Sequence, residues 1–260
     1  MNKASRHHHR KVLYNLLLML AVILVSCGEN DKGQAEFRQG ETAYAARDFS
    51  NAAQFYLKAA ERGHVEAQIC IANCYWNGQG VERNDRQAIK WYFEAAKQGN
   101  TEAWYRIGVC YAEGRGVERD WEAAARWFQK AADRGHADAM YKLGQGYRFA
   151  HGINKDDKKA DEYYQKAAEV WLVAAEQGDA EAQFMLATCY NNGNGVNKSK
   201  TEALKWYQKA AEQGIADAQY QMGLHCLGLD ANNNSSTKAA EWFQKAAEQG
   251  HSEAQFELGE

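Results

Sequence analysis

The stretch of this chain that comes closest to a catalytic motif is Ser235-Ser236-Thr237-Lys238, which fits the pattern S-x-x-K. In enzymes that use this pattern, the serine attacks an acyl group and the nearby lysine assists. The S-D-N and K-T-G motifs that complete such sites do not follow it here. Ser235 also stands where a helix is expected to begin, and serine is a favoured capping residue there. We therefore predict a capping serine and no catalytic centre.

Five cysteines besides Cys27 could form disulfides or bind a metal. Cys74, Cys110 and Cys189 occupy the same position in different copies of a repeat. Neighbouring helices pack roughly 9–10 Å apart, which is beyond the reach of a disulfide. We predict free and mostly buried thiols and leave their redox state open, since an oxidising compartment acts on free thiols. The five are Cys70, Cys74, Cys110, Cys189 and Cys226.

The histidines show no metal-binding pattern. His64, His136 and His251 follow equivalent glycines in different copies of the repeat, and His151 and His225 stand alone. None of them has the spacing with which side chains converge on a metal ion. We predict that the chain binds no metal and no cofactor.

These residues are positioned by a block of about 36 residues that recurs along the chain. Each copy contains two segments, A and B, whose apolar residues follow a 3.6-residue period, and each segment is therefore predicted to be a helix. A period in this range indicates a solenoid, in which each unit buries its apolar face against its neighbours. The copies span 65–100, 101–136, 137–179, 180–215 and 216–251, with a shorter hairpin at 35–64 and a partial copy or cap at 252–260.

The ends of helix B carry consistent signals. Each B segment stops at a glycine, which adopts a left-handed cap without steric cost. Each begins after a capping residue, namely Asp48, Asn84, Asp120, Asp156, Ser199 or Ser235. Paired aromatics, such as Trp206 and Tyr207, recur inside every B helix and are predicted to be core. The G-x-G loops between A and B lack a preceding strand and a following Lys-Ser/Thr, so we interpret them as turns.

The combined pattern resembles the Sel-one-like repeat family, a relative of the tetratricopeptide repeats. It reads A-E-A-Q-x-x-L-G-x-x-Y-x-x-G-x-G-V, followed by A-x-x-W-Y-x-K-A-A-E-Q-G, and covers residues 65–251. The resemblance implies an all-α, right-handed α-solenoid of stacked antiparallel helix pairs. It also implies that the A helices line a concave face that binds proteins or peptides.

Two copies depart from the pattern, and the one at 216–251 has lost the glycine loop, reading Gly228-Leu229-Asp230-Ala231. The copy at 137–179 has seven extra residues in helix B, where YQKAAEV is followed by WLVAAEQG. Seven residues are close to two helical turns, so the apolar face stays in phase and we predict a longer helix B.

The predicted concave face is the candidate binding site. Aromatic rings interleaved with amides suit a peptide groove, because rings give rigid contact area and amides bond to a backbone. The aromatic position could instead pack adjacent repeats, and both readings stay open. The predicted contact residues are Asn73, Trp76, Asn77, Tyr105, Glu113, Tyr141, Gln145, Arg148, Phe149, Phe184, Asn191 and Tyr220.

The N-terminus has the features of a lipoprotein leader. Basic residues precede an apolar run from Leu16 to Val25 that is too short to span a bilayer. The run ends in Leu24-Val25-Ser26-Cys27, which looks like a bacterial lipobox. We predict a signal peptide at 1–26, lipidation of Cys27, and a tether over 27–34. An ordinary signal peptide or an uncleaved anchor is the alternative. Gly28 after the cysteine favours the periplasmic side of the outer membrane, by resemblance.

Charge excludes one class of partner. Residues 1–26 hold four of the 31 basic residues and none of the 34 acidic ones, so the remainder has a net charge of −7. An acidic chain without a basic stripe argues against nucleic-acid binding. We predict a monomeric, non-catalytic scaffold that binds a protein or peptide and is anchored by lipid. The alternatives are an enzyme acting on cell-wall peptides or β-lactams, and a dedicated inhibitor or immunity-type protein.

Overall fold

The computed structural model describes residues 33–228 and 233–259, and for residues 233–235 the backbone alone. Within these ranges the chain forms thirteen α-helices and no strand, which confirms the all-α class. The helices are α1 (Gln34–Ala45), α2 (Phe49–Glu61), α3 (Val65–Asn77), α4 (Asp85–Lys97), α5 (Thr101–Glu113), α6 (Trp121–Ala132), α7 (Ala137–Phe149), α8 (Asp157–Glu176), α9 (Ala180–Asn192), α10 (Lys200–Glu212), α11 (Ala216–Leu227), α12 (Asn233–Glu248) and α13 (Ser252–Gly259).

The described residues separate into two compact units. The first contains α1–α5 and ends at Arg119, and the second begins at Asp120 and contains α6–α13. Within each unit, every helix packs against the next one in the chain. Odd-numbered helices are the A helices and even-numbered helices are the B helices. The stacked helix pairs confirm the predicted solenoid architecture.

Side-chain caps fix where the helices begin. In five of the predicted positions the side chain accepts a hydrogen bond from the backbone N–H three residues later, which is worth about 1 kcal/mol per cap. These residues are Asp48, Asn84, Asp120, Asp156 and Ser199. Five of the seven A helices of the described ranges also have a side-chain cap, which we did not predict. Their caps are His64, Asn100, His136, Asp179 and His251.

The prediction for Ser235 was wrong. Helix α12 begins at Asn233, so Ser235 lies in its first turn and does not precede it. The helix starts earlier because nothing in Asn233-Asn234-Ser235 prevents helical geometry. The side chain of Ser235 is outside the described part of the chain.

The core of each repeat is a small residue on helix A packed against an aromatic ring on helix B. A Cβ atom added to Gly40, Gly144 or Gly223 would lie 2.4–2.7 Å from the ring of Tyr56, Tyr164 or Phe243. The second aromatic of each B helix is therefore buried, as predicted. The first is half-buried in most copies, and a lysine three residues later covers its face, as Lys130 covers Trp127 at 4.2 Å.

The predicted lengthening of one helix is confirmed. Helix α8 has 20 residues, whereas α4 and α10 have 13. At the C-terminal end, Ala254 of α13 is buried against α12, while Phe256 is 63% exposed. No helix among the described residues is long and apolar enough to cross a membrane.

Candidate partner-binding surface

The predicted surface comprises four positions on each A helix, counted from slot 1 at Val65, Thr101, Ala137, Ala180 and Ala216. Slots 5, 9, 12 and 13 form what we call the A-helix face. The structure places its residues in two groups. Slots 5 and 9 are largely used for packing between helices, and slots 12 and 13 are more open.

Slot 5 is a packing position in the second unit. Tyr141 is buried between Tyr164 and Trp171, with ring centroids 5.0 and 5.5 Å away, so its inclusion among the contact residues was wrong. Phe184 packs on Tyr207 at 5.7 Å. Tyr220 lies 5.7 Å from Phe243 and stacks on His251 at 4.6 Å. These rings join helix A to helix B of the same repeat, because that is where helix B presents its second aromatic.

Slot 9 supplies a polar partner for helix B. The Oδ1 atom of Asn73 accepts a hydrogen bond of 2.6 Å from the Tyr92 hydroxyl. The hydroxyls of Thr188 and Tyr207 lie 3.3 Å apart. Gln145 and, at slot 5 of the first unit, Tyr105 are half-buried. A buried hydroxyl is normally hydrogen-bonded, so the side chain of Asn73 serves as the acceptor for Tyr92 within the fold.

In the first unit, slot 12 is covered by the following repeat. The guanidinium of Arg115 stacks on the ring of Trp76 at 3.2 Å from the centroid. It also donates hydrogen bonds of 3.2 and 2.6 Å to the carboxylate of Asp85. Hydrogen bonds from Arg115, with help from Arg83, lower the pKa of Asp85 to about 2. Trp76 is therefore half-buried, and Asn77 and Glu113 at slot 13 are the exposed residues of this unit's face.

In the second unit, slots 12 and 13 are open at the end of α7. Phe149 is 62% exposed. Arg148 forms ion pairs with Asp161 and, at 3.8 Å, with Asp157. On α9, Asn191 is exposed and donates to Asn192 at 3.1 Å. The end of α7 thus presents an exposed aromatic ring beside a small charged network.

Two exposed residues that extend this surface were missed. Trp121 is 39% exposed, and its ring stacks on His151 at 4.8 Å. His151 in turn lies 5.9 Å from Phe149. The sequence could have indicated both residues. The other copies have neither a tryptophan at the first position of helix B nor a histidine in this loop, so the repeat does not require them.

The thiols have the character expected of buried cysteines. Cys74, Cys110 and Cys189 are buried, and all five described cysteines are free. Burial raises the pKa of Cys74 to about 11 and those of Cys110 and Cys189 to about 12. Neutral thiols are poor nucleophiles and metal ligands. No group of three or more potential metal-ligating side chains occurs among the described residues.

The histidine at the start of helix A has a structural role. The Nδ1 atom of His64 accepts from the Ala67 N–H at 3.2 Å, and its Nε2 lies 3.0 Å from Gln34. His251 repeats this arrangement with Ala254 and Asp217. Accepting at Nδ1 requires that atom to be unprotonated. These residues are helix caps, which accounts for their recurrence.

The second unit also carries two depressions. The larger, of about 940 Å³, lies between α6 and the start of α8 and includes Glu122, Gln129, Tyr147 and Lys159 in its lining. The smaller, of about 180 Å³, lies between α9, α10 and α11. Both have mixed, solvent-facing linings.

Comparison with known proteins places the chain in a family. The Sel1 repeat family model matches residues 37–64, 65–100, 101–136, 137–169, 180–215 and 216–251. The chain therefore belongs to the Sel1 repeat family. Repeats of this kind generally serve as scaffolds for protein–protein contacts. No curated protein matches the chain.

Solved structures agree with this assignment. A Sel1 repeat protein from Oxalobacter formigenes is 32% identical, with 86% of this chain and 88% of that chain covered and a TM-score of 0.57. A protective antigen of uropathogenic Escherichia coli with an SLR fold is 30% identical over 90% of this chain, with a TM-score of 0.51. This chain spans 57% of the antigen's length. An immunity protein from Pseudomonas aeruginosa, 22% identical, covers 83% of this chain and 81% of its own at a TM-score of 0.54, and shares the fold.

Proposed function

We propose that this protein is a non-catalytic scaffold that binds a protein or peptide through the open ends of its A helices. The observation that carries the proposal is the exposure of slot 13, above all of Phe149, which is 62% exposed. An exposed ring beside Arg148 suits a partner interface, because aromatic and arginine residues dominate binding energy there. Asn77, Glu113 and Asn191 are exposed on the same face of their own helices.

We further propose that lipid anchors the scaffold to the bacterial envelope. The support is the leader sequence, in which Leu24-Val25-Ser26-Cys27 resembles a lipobox. Residues 1–26, Cys27 and most of the tether lie outside the described residues. An anchor raises the local concentration of the scaffold near an envelope partner. Metabolic labelling with a radioactive fatty acid tests this proposal. Label that is lost in Cys27→Ala supports it, and an unlabelled wild-type chain contradicts it.

A dedicated inhibitor or immunity-type protein is the second candidate function. The observation that favours it is the shared fold with immunity proteins of Pseudomonas aeruginosa. Such a protein binds one partner tightly, whereas an adaptor binds several partners more weakly. The number and affinity of captured partners separate the two.

Capture from an envelope extract, followed by titration with the purified partner, tests the binding proposal. The variant Asn77→Ala/Glu113→Ala changes exposed residues of the first unit, and Phe149→Ala/Asn191→Ala changes those of the second. Because all four side chains are exposed, we expect unchanged helicity. A tenfold loss of affinity in one variant locates the site. Equal affinity of both variants and wild type removes the A-helix face from consideration.

An acyl-enzyme role is tested separately. Ser235 lies in the first turn of α12, and a labelled penicillin that modified this serine would contradict the non-catalytic proposal. We expect no adduct.

A further inference from the structure

The loop between helices A and B docks on the preceding B helix in the same way in three repeats. A Cβ atom added to Gly80, Gly116 or Gly152 would lie 1.9–2.3 Å from a carbonyl oxygen. That oxygen belongs to the first residue of the preceding B helix, which is Phe49, Asp85 or Trp121 respectively. Only glycine permits so close a backbone approach. The first turn of α2, α4 and α6 is therefore covered by a loop.

The residue just before the docked glycine completes each docking contact with a planar polar group. Arg115 covers Trp76 and Asp85, as described above. His151 stacks on Trp121. The side chain of Gln79 lies 3.4 Å from the hydroxyl of Tyr44. Arg115 and His151 thus contact the first residue of the preceding B helix, and Gln79 contacts the end of the preceding A helix.

The loop that follows α8 docks seven residues further along. A Cβ atom on Gly195 would meet Tyr164 and Gln165, and not the first turn of α8 at Asp157. Its neighbour Asn194 donates to the Tyr141 hydroxyl at 2.9 Å, seven residues before slot 12 of α7. Seven residues of helix correspond to about 10 Å. The seven-residue insertion in α8 has thus displaced the following repeat by two turns.

The fifth residue of each B helix differs in polarity and exposure according to this displacement. In the copies whose first turn is covered it is Ala53, Ile89 or Ala125, which are 1%, 5% and 7% exposed. In α8 it is Asp161, whose side chain is 63% exposed. Ala168, seven residues later, is buried. An apolar slot has become a carboxylate where the covering repeat moved away, and an apolar residue occupies the new contact point.

The displacement leaves a surface that we call the α7–α8 ledge, formed by Arg148, Phe149, Asp157 and Asp161. The side chain of Asp157 is 55% exposed, whereas that of its counterpart Asp85 is 23% exposed. Exposed Lys155 lies 3.5 Å from Asp157, and such a surface ion pair contributes little. Arg148 pairs closely with Asp161 but lies 3.8 Å from Asp157. The ledge therefore offers one weakly paired carboxylate, that of Asp157, beside an exposed aromatic ring.

We infer that the α7–α8 ledge binds a glycine-containing turn of a partner protein that carries an arginine, in place of the loop that docks there in other repeats. The inference rests on the proposed protein-binding function and specifies its partner. The Arg115–Asp85 contact provides the template, because a planar guanidinium can bind one carboxylate with two hydrogen bonds. Arg148 occupies the slot of Trp76 on α7, and the exposed ring of Phe149, one residue further along, provides the surface for stacking.

The test uses a cyclic peptide with the sequence from Tyr111 to Asp120, which contains the Gly114-Arg115-Gly116 turn. The peptide carries fluorescein, and its anisotropy is followed as the full chain is added. We expect saturable binding that weakens at least fivefold with Asp157→Asn or with an Arg115→Ala peptide. Phe256→Ser is the matched control for Phe149→Ser, since Phe256 and Phe149 are 63% and 62% exposed. This control should leave peptide binding unchanged.

A second variant closes the ledge. Deleting residues 168–174 joins Tyr164-Gln165-Lys166-Ala167 to Ala175-Glu176-Gln177-Gly178, which reproduces the sequence YQKAAEQG at 207–214. Asp161→Ala accompanies the deletion, because that slot becomes buried in the realigned array and a buried charge is costly. We expect this variant to fold and to lose peptide binding.

Three results would overturn the inference. They are no saturable binding to the wild-type chain, equal binding by the Arg115→Ala peptide, and undiminished binding after the ledge is closed. If the deletion variant does not fold, Asp157→Asn and Phe149→Ser decide the matter, since both alter exposed side chains. The peptide assay uses no captured partner. Failure of the peptide assay alongside successful capture of a partner would leave the scaffold function in place. Peptide binding without any captured partner would not.

Discussion

The end of α3 and the end of α7 are the same position of one repeat in two different states. At the end of α3, Arg115 covers Trp76 and binds Asp85. Beside the end of α7, the side chain of Asp157, the counterpart of Asp85, is 55% exposed because the next loop docks two turns away. A solenoid repeat is thus completed by its neighbour, and an insertion of whole turns opens a surface without breaking a helix.

The largest expected effect concerns the docked loop. Gly116→Ala places a Cβ 2.3 Å from the Asp85 carbonyl oxygen, at a residue with φ of 75°. We expect a loss of about 2–4 kcal/mol in unfolding free energy, because backbone strain adds to a backbone clash. Gly99→Ala is the control, since its φ is also positive at 83° but nothing lies within 4 Å of the added atom. Urea denaturation should show a loss of only about 1 kcal/mol there.

The next largest effect compares the loss in unfolding free energy when Arg115 or Arg148 is replaced by alanine. Arg115→Ala removes two hydrogen bonds to Asp85 and should cost about 1.5–3 kcal/mol. Arg148→Ala removes ion pairs with largely exposed carboxylates and should cost no more than about 1 kcal/mol. Equal losses in urea denaturation would contradict the distinction between a covered and an open slot.

The same contact predicts a pH dependence. The folded-state pKa of Asp85 is about 2, below the value of about 3.9 for an unperturbed aspartate. A depressed pKa means that the stabilisation is fully present above about pH 4 and is lost as the pH falls towards 2. We expect Arg115→Ala to flatten this part of the stability curve. An unchanged acid limb, measured by circular dichroism, would show that the pair is not formed.

Thiol reactivity tests whether the cysteines of the core are protected in the native chain. Burial raises the pKa of Cys110 and of Cys189 to about 12, so both should be neutral and protected at pH 8. We expect their reaction with a maleimide to be at least a hundredfold slower in the native chain than in urea. Mass spectrometry of tryptic peptides checks each site. Rapid labelling of Cys110 would mean that the α5 core opens.

The smallest expected effect compares two exposed rings. Phe149→Ser and Phe256→Ser each remove a phenyl group that is more than 60% exposed. Surface substitutions of this kind change stability by about 0.5 kcal/mol or less. Thermal unfolding should show near-identical midpoints for both variants and the wild type. A large loss in Phe149→Ser alone would mean that the ledge is covered by the chain itself.

Most of the fold could be predicted from the sequence because the same helix-end signals recur in each copy of the repeat. The glycine stops, five of the six B-helix caps and the length of α8 followed from spacing alone. The slot 5 aromatics did not, since Tyr141 carries the periodicity of both a packing residue and a surface residue. Contacts with Tyr164 and Trp171 decided that it is buried.

The displacement of the copy at 180–215 could not be predicted from the periodicity either. A two-turn insertion keeps the apolar face in phase, so the pattern does not reveal where the next loop docks. One residue carried the signal, because Asp161 stands where Ala53, Ile89 and Ala125 are buried. The family assignment required only the repeated motif, whereas the lipidation of Cys27 stays a prediction.

Cysteine accessibility tests whether the loop at Gly195 docks two turns further along α8 than the other loops dock on their B helices. Asp161→Cys and Ala125→Cys place a thiol at the same slot of α8 and α6. The side chain of Asp161 is 63% exposed and Ala125 is 7% exposed. We predict that the thiol at 161 reacts with a maleimide as fast as a cysteine in an unfolded chain, and that the thiol at 125 reacts at least tenfold more slowly. Equal protection of both thiols would mean that a repeat covers the first turns of α8 and that the loop is not displaced.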